Sequence, residues 1–174
     1  SGGHDPESDY FPLIIVYLEK YYAGGLIINS RFQKRDGKGS DDAVIAGRVI
    51  DHAVRPLFPS DFSDEVQLVV TVLSLDQDAD PRFLSMIAAS AAFHASDIPW
   101  AGPMASIRLG YVDGNFVLCP SRDVLHNKSE LDMIVSFVGE DRRFLALEAE
   151  ANILPEEKIM AAVDFARENT GPLF

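Results

Sequence analysis

The stretch Arg48-Val49-Ile50-Asp51-His52-Ala53-Val54-Arg55-Pro56-Leu57-Phe58-Pro59 begins as a helix and cannot end as one. Ile45, Val49 and Val54 recur near helical spacing. Pro56 and Pro59 lack the amide hydrogens that another turn would need. Upstream, Ser40 is placed to cap the helix, and Asp41 and Asp42 put negative charge in its positive first turn. Arg48 and Arg55, seven residues apart, then share one face.

Working outward, Leu13 to Leu18 is an apolar, β-branched run and predicts a buried strand. Between that strand and the helix, residues 23–39 are rich in glycine and charge and lack periodicity, which predicts a mobile basic loop. On the other side, Val66 to Leu75 is the longest β-branched run and predicts a central strand. Asp80-Pro81 supplies an N-cap and a proline at the first helical position. The helix it opens, Arg82 to Ser96, carries so many small residues that it should be buried. Met104 to Tyr111 and Asn115 to Leu118 flank Val112-Asp113-Gly114, a hairpin signal. Leu131 to Val138 and Phe144 to Leu147 repeat it around Gly139-Glu140-Asp141, and a last helix starts near Pro155. The order is β, loop, α, β, α, two hairpins, α: an α/β (α+β) domain with a mixed sheet packed with helices.

At 174 residues and 47% hydrophobic content, one core and one domain are expected over 1–174. No apolar run reaches membrane-spanning length and the start has no signal-peptide character, so no membrane partner and a cytoplasmic setting are expected. The single cysteine, Cys119, excludes an intrachain disulfide and is expected to pack as a small apolar group. A net charge of −12 argues against non-specific coating of nucleic acid. The charge is uneven, however: Arg31 to Arg55 hold six cations against four carboxylates, so +2 there leaves −14 elsewhere. A basic segment on an acidic body suits a directed contact with a polyanion, and equally a solvated loop.

Four stretches, taken together, resemble the first core domain of the polynucleotide phosphorylase family: Asp9 to Leu13, Arg31 to Gly37, Arg48 to Pro59, and Ser90-Ala91-Ala92 to Ile98-Pro99-Trp100-Ala101-Gly102-Pro103. They stand in the family's order and at its spacing. The resemblance implies an RNase PH-like fold, related to ribosomal protein S5 domain 2, lacking here the N-terminal hairpin of the family. It further implies a subunit with a second core and RNA-binding modules, assembled as a homotrimer. The implied reaction is 3′-to-5′ phosphorolysis of single-stranded RNA to nucleoside diphosphates, with Mg2+ (or Mn2+) and inorganic phosphate in the second core and no cofactor in this one.

By that resemblance, Arg31, Phe32, Lys34, Arg35 and Lys38 match the loop lining the RNA channel. Cations flanked by glycines can hold phosphates while Phe32 stacks a base. Gln33 stands where the family has a second aromatic, and Lys38-Gly39 replaces Arg-Pro. The catalytic core of the family has a glycine and serines that cradle phosphate at a helix start. Here the place reads Asp78-Ala79-Asp80-Pro81-Arg82, two carboxylates and a residue without an N–H. The catalytic Asp, Asp and Lys are matched by Lys128, Ile134 and Ser136. No catalytic residue and no metal site is therefore expected in this chain.

Arg48, Asp51 and Arg55 remain open between a substrate-side role and a local ion pair on the helix. Glu130 and Asp132 are expected at a solvated strand edge. Two readings of the whole stay in play: a silent, RNA-guiding and trimer-forming core of a longer phosphorolytic enzyme, or a stand-alone non-catalytic ring subunit resembling exosome scaffolds.

Overall fold

A computed structural model describes residues 11–25, 40–76 and 80–174. The chain divides into two compact units, Ser1–Gln77 and Asp78–Phe174.

In the first unit, β1 (Leu13–Glu19), α1 (Asp41–Val54) and β2 (Val66–Val72) form a β-α-β arrangement. β1 and β2 pair in parallel from Leu13 opposite Val66 to Glu19 opposite Val72. Parallel neighbours require a crossover connection, and α1 lies within it. Ser40 caps α1 as its position predicts: its Oγ accepts from the Ala43 amide at 3.0 Å. The same hydroxyl donates to Glu19 at 3.0 Å, fixing the helix start to the end of β1. Ala43, Ala46, Gly47, Ile50, Ala53 and Val54 form the buried face of α1.

β2 departs from its prediction. Among the described residues it pairs only with β1, and it stops at Val72. Val66 and Leu68 are buried while Val69 is half exposed, so burial alternates along the strand. A continuous β-branched run predicts burial on both faces, and here one face is covered.

The second unit opens with α2 (Pro81–His94), followed by the hairpin β3 (Met104–Val112) and β4 (Asn115–Leu118). After α3 (Arg122–Asn127) come β5 (Leu131–Val138), β6 (Arg143–Ala151) and α4 (Glu156–Asn169). The sheet is antiparallel in the order β4-β3-β5-β6. Asp113 and Gly114 take φ of 49° and 81°, the left-handed pair a tight hairpin turn needs. Alternate residues Ile107, Leu109 and Tyr111 of β3 and Leu131, Met133, Val135 and Phe137 of β5 meet Ala162, Val163 and Ala166 of α4 in one core. Each such large side chain contributes roughly 1.5–3 kcal/mol by leaving water.

Parallel and antiparallel pairing thus occupy separate sheets within the α/β class. α2 buries one face only: Ser85, Met86, Ala89, Ser90 and Phe93 are covered, while Leu84 is 55% exposed. Trp100 packs on Phe93 with centroids 5.4 Å apart. A Cβ on Gly102 would lie 2.4 Å from the Trp100 ring, which accounts for glycine there. The short helix α3, capped by Ser121, is too brief to leave a periodic signal. β6 outruns its predicted end at Leu147 because Glu148 and Glu150 break the apolar pattern on an exposed edge strand.

Candidate functional site

Arg48 and Asp51 lie on α1, and Arg55 caps its C-terminal end. With Leu13, Ile15 and Tyr17 of β1 they line an open cavity of about 430 Å³. Arg55 is held there by fixed partners. Its guanidinium grips Asp51 through two bonds of 2.7 and 3.1 Å. It also donates to the carbonyls of Phe11 at 3.0 Å and Leu13 at 3.3 Å and lies over the Phe11 ring. Phe11 packs on Phe58 (4.6 Å) and Phe62 (5.4 Å). The stretch ending at Leu13 and the stretch ending at Pro59 are therefore two halves of one contact, with Arg55 as its hinge pin. Arg48 differs: it is exposed and makes no ion pair with the described residues. A cation beside an apolar cavity can hold an anionic group at low desolvation cost.

The start of α2 carries a second charged cluster. Asp80 caps the helix by accepting from the Arg82 amide at 2.9 Å and pairs with the Arg82 guanidinium at 2.7 Å. Its carboxylate also meets Arg108 of β3. Arg108 in turn forks onto Asp132 of β5 through Nε at 2.8 Å and Nη2 at 2.5 Å. The Arg108 and Asp80 side chains are only 7% and 8% exposed. Two arginines against two aspartates leave no net charge, and the cap takes up the Arg82 amide, the first that the helix start can offer after Pro81.

Asp132 therefore lies on an interior strand, which corrects the strand edge expected for it, and its side chain, still 33% exposed, closes the outer side of an ion network buried at Arg108 and Asp80. The sequence reading missed Arg108. Its signal was available, since Arg108 is the sole charge in the apolar run Met104 to Val112, and a buried charge demands a partner. The positions matched to the family's catalytic Asp, Asp and Lys do not form a metal site either. Ser136 is buried and bonded to Ser106 Oγ at 2.8 Å, Lys128 ends α3, and Ile134 offers no ligand. This set does not fit a divalent cation, which needs several oxygen donors.

Cys119 does not pack as expected. It is exposed, with φ of 45° where β4 ends. Its sulfur is still partly shielded from water, and that desolvation pushes the thiol above its ordinary range, with Arg108 partly offsetting it. Arg31, Phe32, Lys34, Arg35 and Lys38, with most of the predicted loop 23–39, lie outside the described residues, as do Asp78 and Ala79. Among the described residues no helix is long and apolar enough to cross a membrane.

An α/β chain with a β-α-β unit, an antiparallel four-stranded sheet and a capped, charge-neutral helix start finds its place among known proteins. The model of the 3′ exoribonuclease family, domain 1, matches residues 1–99, and the chain belongs to that family. Its relatives narrow the kinship. The chain is 43% identical over 96% of its length to the polyribonucleotide nucleotidyltransferase of Thermus thermophilus. It is 43% identical over 97% of its length to that of Pelagibacter ubique, and 44% over 94% to that of Trichlorobacter lovleyi. It spans about a quarter of these relatives, 23%, 24% and 23% of their respective lengths. The fold is similar to the crystal structure of rice (Oryza sativa) Rrp46, with a TM-score of 0.71, 11% identity, and coverage of 99% of this chain and 74% of that one.

Proposed function

We propose that this chain is the first, catalytically silent core of a phosphorolytic 3′-to-5′ exoribonuclease, guiding single-stranded RNA and contributing to a trimeric ring. The observation that carries the silence is the start of α2, where Asp80 occupies the helix N-terminus and Pro81 removes a donor. A phosphate would meet carboxylates there instead of amide hydrogens. The two compact units together make up one RNase PH-like core. In the parent enzyme, a second core supplies the phosphate site and the Mg2+ or Mn2+, and RNA-binding modules and copies of the subunit complete the machine in the cytoplasm. Identity above 40% to much longer nucleotidyltransferases supports this reading over a stand-alone ring subunit.

Guidance falls to Arg31, Phe32, Lys34, Arg35 and Lys38, with Arg48 as an available cation on α1. Single-strand binding loses roughly 0.7 in salt slope per phosphate contact removed. Replacing Lys34 and Arg35 by Ala should make the slope of log affinity against log salt shallower by about 1.4. It should do so alike for all RNA sequences. An unchanged affinity and slope would reduce the segment to a solvated surface. The chain alone should release no nucleoside diphosphate from poly(A) with phosphate and magnesium. Release above a buffer blank, abolished by Asp132→Ala, would overturn the silence.

A further inference from the structure

Among the described residues, four that are not glycine take a left-handed backbone: Asp113, Cys119, Arg142 and Ile153. Three of them are held by bonds of their own. The Asp113 carbonyl accepts from the Asn115 side chain at 3.0 Å, the Cys119 amide donates to Arg108 at 2.8 Å, and the Arg142 guanidinium donates to the Arg167 carbonyl at 3.0 Å. Ile153, at φ 47° between β6 and α4, makes no hydrogen bond to the described residues, and its side chain is fully exposed. A branched Cβ tolerates that backbone least, so the strain here has no return within the fold. Glu156 and Glu157 follow at the start of α4, with Met160 one turn further on, all three exposed. The result is a protruding apolar knob beside carboxylates. The cavity next to α1 has the opposite character. Leu13, Ile15, Tyr17 and Val44 line it, and Arg48, one turn from Val44, brings an exposed cation without an ion pair among the described residues. Gly47 also lines it, although a Cβ there would come no nearer than 3.5 Å to the Ile15 carbonyl, an ordinary contact. Packing therefore does not require this glycine, which weakens a helix interior; its effect is to keep the cavity open. A void of about 150 Å³ already admits a benzene ring, and this one measures about 430 Å³.

We propose that Ile153 of one copy of this chain seats in that cavity on a second copy, with Glu156 and Glu157 facing Arg48. The inference rests on the reading above that copies of the subunit assemble, and it names the surfaces that meet. Charge selects the occupant. At −12 overall, two copies repel unless the contact sets an exposed cation against carboxylates, and this one does. A phosphate chain is turned away from the knob by Glu156 and Glu157. Arg48 can serve RNA only in a copy whose cavity is empty. Because knob and cavity are different surfaces, the contact is head-to-tail, the kind that closes into a ring or extends into a filament. The left-handed backbone at Ile153 then holds an apolar group clear of its own fold until a neighbour covers it.

The test is sedimentation velocity of the full chain over a concentration series. The parent should associate as concentration rises, and Ile153→Asp should weaken that association at least about ten-fold. Arg48→Glu should weaken it as well, and Arg48→Glu/Glu156→Lys/Glu157→Lys should recover most of what Arg48→Glu loses. Ile153→Gly separates an interface role from a structural one: it relaxes the backbone, so it should raise the unfolding midpoint in dilute solution while weakening association. A lowered midpoint would mean that Ile153 serves its own fold, and the knob would be wrong. Ile153→Asp and Arg48→Glu each keep one sound surface, so the two variants mixed should form a one-to-one pair that grows no further. If they do not pair, or if the parent is monomeric at every concentration, the contact is overturned, while the catalytic silence, which rests on the start of α2, stands. If Ile153→Asp associates as the parent does, copies meet elsewhere, and the contact falls without the ring.

Discussion

Arg55 and Arg108 are both arginines forked onto aspartate, yet they do different work. Arg55 holds Asp51 four residues away across the end of α1, and both side chains are about a third exposed. Arg108 holds Asp132 and Asp80 from 24 and 28 residues away, with its side chain 7% exposed. A half-wet local pair gains little because water competes for both charges. A buried network gains little over an apolar replacement, yet losing one member strands the others in a poor solvent. The difference teaches that the second cluster is a lock, binding the start of α2 to β3 and β5, while the first is a pin whose value lies in its two carbonyl bonds.

The sharpest break of this contrast is Arg108→Ala. It leaves Asp80 buried with the partly exposed Arg82 as its remaining counter-charge and Asp132 without its fork, and should destabilise the chain by about 3–5 kcal/mol in denaturant unfolding. Arg108→Met combined with Asp80→Asn should recover much of that loss, since the charge is removed from both sides and asparagine still caps. A loss below about 1 kcal/mol for Arg108→Ala would show that water reaches the network and that the lock is no lock.

This contrast also marks what the sequence made legible. Ser40, Asp80-Pro81 and Asp113-Gly114 each act on neighbours within a turn, so cap, helix start and hairpin were readable from residue order. The Arg55–Asp51 pair was readable for the same reason, as one of two options left open. The Arg108 network was not, because its members lie far apart in the chain and meet only through strand register. Asp132 looked like a surface acid for want of its partner. The exposure of Cys119 and of one face of β2 was hidden as well: apolar composition says what prefers burial, and only topology says what obtains cover. The basic segment Arg31 to Lys38 rests on sequence alone.

Arg55→Ala is the next step down. It removes bonds to Phe11 and Leu13 carbonyls and the contact with the Phe11 ring, and should cost about 1–2 kcal/mol, discounted for partial exposure. Arg55→Lys should recover less than half, since an ammonium cannot fork onto Asp51 while reaching two carbonyls. As a baseline, Arg143 and Asp141 are 69% and 62% exposed. Arg143→Ala should change stability by less than about 0.5 kcal/mol. Equal losses for Arg55→Ala and Arg143→Ala in the same unfolding series would erase the pin.

The smallest effect is the most local probe of the lock. Cys119 accompanies Arg108, its amide donating to the Arg108 carbonyl at 2.8 Å. Desolvation raises the thiol, and the backbone and charge of Arg108 lower it in part. The thiolate is the nucleophile, so alkylation of the native chain by iodoacetamide should reach half its limiting rate at a higher pH than alkylation of the urea-unfolded chain. The sign for stability follows. With the folded pKa above the unfolded one, the cysteine's contribution is fully present below the unfolded pKa and is lost as pH rises through the folded value. Cys119→Ser should therefore flatten the alkaline limb of the stability curve slightly. In the Arg108→Met/Asp80→Asn variant the positive charge is gone, and the alkylation midpoint should move higher still. A midpoint unmoved by that exchange would mean that the guanidinium's field does not reach the sulfur, and that the network's influence stops at the three elements it ties.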